Sequence, residues 1–151
     1  MLAPDPTVVQ TEALHAFVDP TADARALRVL LAATGGFTID HDSGHPLQSG
    51  IAVCADPALA WHFPFEDWDD ALVAGWISKQ RSRLDEGDVH IGGWLDGGAG
   101  SMWLELVWVL PERLRSAAIA IGRMHDQRAV FDLRRRKLVA LDERAHAGGA
   151  V

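Results

Sequence analysis

Residues 92–141 read GGWLDGGAGSMWLELVWVLPERLRSAAIAIGRMHDQRAVFDLRRRKLVAL, and this stretch decides the fold class. His90 to Asp96 alternates in the manner of a strand, and Gly97-Gly98-Ala99-Gly100 supplies its turn. Met102 to Leu110 follows as the strongest strand signal in the chain. On a pleat of period two, Met102, Leu104, Leu106, Trp108 and Leu110 share one face, and Trp103, Glu105, Val107 and Val109 share the other. Both faces are nearly all apolar, which predicts a central strand covered on both sides. Pro111-Glu112 then opens a helix to about His125, with Leu114, Ala118, Ile121 and His125 as its inner stripe. Ala129 to Leu133 and Lys137 to Leu141 form a closing hairpin that turns at Arg134-Arg135-Arg136.

Outward from this block, Asp5-Pro6 and Asp19-Pro20 are helix-start signals. Asp can cap the first turn, and Pro fits a position whose N–H has no helical partner. They predict helices over about 6–17 and 20–33, the second ended by Thr34-Gly35-Gly36. GFTID and GIAVCA flank a polar loop and predict a hairpin. Glu66 to about Leu84 has helical spacing, with Trp68, Leu72 and Trp76 on one stripe. The expected order is ααββαββαββ. It describes an α+β fold with one mostly antiparallel sheet of about six strands and helices packed on it. Residues 1–142 are expected to form a single domain, and residues 143–151 a mobile tail.

Composition narrows the class. Hydrophobic residues make up 48% of the 151 positions, enough for a core without staples, and the single Cys54 can form no internal disulfide. No apolar run approaches the roughly 20 residues that span a bilayer, and the first residues lack a secretion-signal pattern. A cytoplasmic protein is therefore expected. Net charge is −7, unevenly laid out. Residues 1–70 hold eleven carboxylates against Arg25 and Arg28, whereas residues 71–151 hold ten against twelve basic side chains. This balance disfavours general nucleic-acid binding, and the acidic first half leaves open a DNA-mimicking inhibitor.

Few residues carry a chemical signature. Asp40, His41, Asp42 and His45 lie together in the first polar loop. Imidazoles and carboxylates at this density could hold a divalent metal and support a small metal-assisted hydrolase, with His62 or His90 as a further ligand. The same Asp-Ser-Gly-His-Pro run is also ordinary turn chemistry, and the turn is the preferred reading. His125-Asp126 could act as a base with its orienter, but neighbours on a helix do not face each other. Glu105 interrupts the apolar strand; unpaired and covered it would have a raised pKa and could act as an acid, but it is expected to pair with an arginine such as Arg113, Arg115 or Arg128, or to sit at a sheet edge. Cys54 reads as a small buried hydrophobe. There is no nucleophile elbow and no phosphate-binding glycine loop. No catalytic residue and no cofactor are assigned.

What remains is contact chemistry. Six tryptophans are many for this length, and tryptophan serves both cores and interaction hot spots. Trp94, Trp103 and Trp108, with the basic tip Arg134, Arg135 and Arg136, are the candidate protein-interaction residues. Trp103 and Trp108 point to opposite sides of one strand, so an apolar patch is expected to remain for a partner, most simply a second copy of the chain.

The run from Gly92 to Leu141, with its Gly-Trp-Leu-Asp strand, Ala-rich helix and Asp-Gln-x-Ala-Val-Phe-Asp-Leu close, resembles short uncharacterised proteins of actinobacteria and their phages. That resemblance covers about a third of the chain and supplies no site residue. It implies an accessory protein of a phage or mobile element that binds and modulates a host protein.

Overall fold

The computed structural model describes residues 20–40 and 43–141. The expected helix over 6–17, the metal-loop residues His41 and Asp42, and the tail 143–151 lie outside the described residues. Helix α1 (Pro20–Thr34) begins on its proline. It ends where Gly35 takes φ +78° and returns its N–H to the Leu31 carbonyl at 2.8 Å. Strands β1 (Gly36–Ile39), β2 (Ile51–Cys54) and β3 (Trp61–Pro64) follow. Next come helices α2 (Asp70–Lys79) and α3 (Arg81–Asp85), then β4 (His90–Asp96) and β5 (Ser101–Leu110). Helix α4 (Arg115–Met124) and the hairpin of β6 (Ala129–Asp132) and β7 (Lys137–Ala140) complete the described order.

The fold is α+β, with one antiparallel sheet of seven strands among the described residues. Its order is β1-β4-β5-β2-β6-β7, and β3 also pairs with β5. Strand β5 is the axis, as its apolar pattern predicts. From Ser101 to Val107 it pairs with β4. Its other flank is shared, with Ser101–Leu104 against β3 and Val107–Leu110 against β2.

Parity sorts the core as expected. Met102, Leu104 and Leu106 pack with Leu27 and Leu31 of α1 and with Val73 and Ile77 of α2. Further along the same face, Ile51 and Val53 meet Ala118 of α4 and Val130 of β6. The opposite face carries a third cluster, with Ala52, Val107 and Leu133 buried and Leu47, Val109 and Phe131 packed against them. No helix residue belongs to that cluster. The sheet curls over this face. Strands β1 and β6 are far apart in sheet order, yet Phe131 of β6 stacks at 6.2 Å on Trp94 of β4. Its ring tip lies 3.6 Å from where a Cβ on Gly36 would stand.

Four expectations need correction. The hairpin of GFTID with GIAVCA does not form, because β1 pairs with β4 while β2 pairs with β5 and β6. The link between them instead runs back along β1, with Leu47 N–H bonded to the Thr38 carbonyl at 2.7 Å. Trp61–Pro64 is an additional strand. The helix expected over 66–84 is broken at Gln80, and only Asp70–Lys79 forms its main length. Its buried stripe is Val73, Ala74 and Ile77, so Leu72 is left 61% exposed. The helix after Pro111 starts as a tight turn over Glu112–Leu114, which leaves Leu114 exposed and buries Ala118 and Gly122.

Candidate functional site: an aromatic row and a buried acid on the face away from the helices

Register builds the site. His62 of β3 stands opposite Trp103 of β5, Trp103 opposite Trp94 of β4, and Trp94 opposite Gly36 of β1. These residues form one row across four strands on the face away from the helices. His62 lies flat on Trp103, with ring centroids 4.1 Å apart and planes 10° apart. Its Nε2 is 2.8 Å from the Ser101 hydroxyl. Phe131 extends the row over Gly36, its ring tip in van der Waals reach of that backbone. Trp94, Trp103 and Phe131 are half-buried and His62 is exposed, so the row reaches solvent. A cleft of about 130 Å³ adjoins it, lined by Thr34, Gly36, Phe131, Leu133 and Arg136 among others. The structure thus sets Trp94 and Trp103 side by side with the basic turn nearby. Trp108 faces the helices instead, half-buried, with its ring 5.6 Å from that of His125.

The basic turn is partly engaged. Arg134 reaches Glu112 at 3.1 Å. Asp132, buried, accepts from Arg115 at 3.0 Å and from the Arg135 backbone N–H at 3.1 Å. Burial pushes the Asp132 carboxyl upward, but these donors and the two guanidinium charges outweigh it and hold it below the usual carboxylate range. Arg136 adopts φ +52°, a left-handed conformation that is costly for a side-chain-bearing residue.

One step inward along β5 stands Glu105, 1% exposed. It does not pair with Arg113, Arg115 or Arg128 as the sequence suggests. Arg115 is taken by Asp132, and Arg113 and Arg128 are exposed. Its cross-strand neighbour on β4 is Gly92, and among the described residues Oε1 has no hydrogen-bond partner. Burial pushes this carboxyl up to about 7, tempered by a hydrogen bond from the Cys54 thiol. Cys54, buried as expected, is driven far above the ordinary thiol range by burial first and by the Glu105 charge second. A thiol held protonated in this way is no nucleophile at neutral pH.

The remaining candidates are local. Asp40 accepts from the Ser43 hydroxyl at 2.9 Å and lies 3.5 Å from His90 Nδ1. The Asp40 N–H bonds to the His45 carbonyl at 2.8 Å. His62 belongs to the Trp103 stack instead. Among the described residues no group of three potential ligands is close enough to hold a metal. His125 Nδ1 is 2.9 Å from the Cys54 carbonyl, and Asp126 is exposed in a left-handed conformation at φ +57°.

Sequence reasoning missed His62 and Phe131 as members of the row. The His62 signal is the Trp61-His62-Phe63-Pro64 alternation, too short to stand out. Nothing local marks Phe131, which joins the row only because the sheet curls. No protein-family model, no curated protein and no solved structure matches the chain. Among the described residues no helix is long and apolar enough to cross a membrane.

Proposed function

We propose that this chain is a non-enzymatic protein-interaction module, an accessory protein of a phage or mobile element that binds and modulates a host protein. The observation that carries the reading is the pair Trp94 and Trp103. They lie side by side in register and half-exposed, on the sheet face opposite the one on which the helices pack, near a basic turn. Rigid aromatic side chains presented by a sheet give large contact area at little entropic cost, and tryptophan and arginine dominate binding hot spots. The partner that fits is a protein segment with an apolar residue to lie on the Trp94–Trp103 row and a carboxylate to meet Arg136.

The test is capture on the immobilised full-length protein from the native cell extract, with each retained protein then titrated in purified form. Trp94→Ala with Trp103→Ala should weaken the specific partner by about 2 kcal/mol or more, roughly thirtyfold. Met124→Glu, at an exposed position on α4 across the sheet from the row, should leave binding unchanged. Equal retention by the tryptophan double variant would refute the reading.

A further inference from the structure

A second apolar surface lies on the other side of the molecule. Trp61 of β3 and Ala71, Leu72, Gly75, Trp76 and Lys79 of α2 line an open groove of about 390 Å³. Its shape is fixed from beneath. Trp76 donates its Nε1–H to the Leu59 carbonyl at 3.2 Å, and Trp61 packs on Phe63 with ring centroids 4.4 Å apart. Leu72 stands proud of the helix, 61% exposed, although an ordinary amphipathic helix would turn such a residue inward. Gly75 sits open beside it, with nothing within 4 Å of where its Cβ would be. Ala71 and Gly75 are four residues apart, so this stripe of α2 lets another backbone approach closely.

Charge says what fits. The entry to α2 carries exposed Glu66, Asp67 and Asp69, whereas its exit carries exposed Lys79. Asp69, Leu72, Trp76 and Lys79 follow at spacings of three, four and three, which places them along one side of the helix. The sequence of features is acidic, apolar, basic. Rotated by a twofold axis it complements itself. An antiparallel pair of α2 helices crossing at the level of Ala74 sets Leu72 against Trp76 of the second copy and Asp69 against its Lys79. An isologous contact requires this self-complementarity.

We propose that the α2–β3 groove is a homodimer interface, occupied by α2 of a second copy of this chain. The interface lies away from the Trp94–Trp103 row, so the dimer presents that row twice. The inference does not rest on the proposed partner binding, because it is read with the purified protein alone.

Light scattering coupled to size exclusion, from about 1 to about 200 micromolar, tests it. The full chain is expected to run as a dimer at the upper end, and Leu72→Glu to raise the dissociation constant at least about tenfold. Lys79→Glu should weaken the dimer by a smaller factor and flatten its salt dependence. Both positions are exposed, so unchanged circular dichroism and unfolding midpoints will show that each variant is folded. Leu138→Glu, on the far edge of the sheet, should leave the dimer intact. A monomeric mass at every concentration overturns the proposal and leaves the groove to a foreign partner or to residues 1–19. A dimer that survives Leu72→Glu, or that is indifferent to both Lys79→Glu and salt, also overturns it.

Discussion

Glu105→Gln should change how stability depends on pH, and the direction follows from burial. In the unfolded chain this carboxyl titrates near 4.5, and in the folded chain burial raises it to about 7. Between these values the folded state holds a proton that the unfolded state has released. Stability therefore falls as pH rises through this window, and above about 7 the loss is complete. At about 1.4 kcal/mol per pH unit, the displacement is worth about 3 kcal/mol between pH 4.5 and pH 7. Glutamine keeps the shape and has no proton to lose. Urea titrations of both proteins at half-unit steps from pH 4.5 to 8 isolate the effect, because every other titrating group is common to both. The stability difference, variant minus wild type, should grow by about 3 kcal/mol across the window and then level off. A difference constant with pH, or one that shrinks as pH rises, would refute the placement of Glu105 as a buried acid without a cationic partner.

The core makes further claims. Leu106→Ala, at a fully buried position on β5, should cost about 2–5 kcal/mol in a denaturant titration; a loss under about 1 kcal/mol would remove β5 from the centre of the sheet. Gly93→Ala would bring a Cβ within 2.6 Å of the Phe37 ring, so thermal unfolding should show a loss of about 1–3 kcal/mol. Arg136→Gly should relieve the left-handed strain at φ +52° and stabilise by up to about 1 kcal/mol. The same change removes the cation beside the aromatic row, so calorimetry with the captured partner should show weaker binding to a more stable protein.

Local sequence carried the elements whose signals are complete within a few residues. The proline at position 20 and the Gly35 stop bound α1, the ten-residue alternation of β5 marks the axis, and Arg134–Arg136 mark the last turn. It could not say which strands meet. Strands β1 and β2 look like a hairpin because both are short and a turn-rich loop lies between them. Their partners, β4 on one side and β5 with β6 on the other, are chosen by long-range burial. Strand β3 was hidden because Pro57 lies just ahead of it, Pro64 ends it, and its four residues owe their strand form to the first half of β5. The break at Gln80 has no helix-breaking residue to announce it. Glu105 was visible as an anomaly, but its solitude was not, since arginines near in sequence prove to be committed to Asp132 or exposed. Trp94 and Trp103 were legible as contact residues. Their shared row, with His62 before it and Phe131 after it, depends on register and curl.

The central claim, that a partner docks on the Trp94–Trp103 face, is tested most directly by photo-crosslinking from within that face. With benzoylphenylalanine replacing Trp103, irradiation in the native cell extract should yield one discrete adduct with a foreign protein, and the same group replacing Met124, exposed on α4 across the sheet, should yield none. An adduct common to both positions, no adduct from position 103, or an adduct joining two copies of this chain through position 103 would contradict the account.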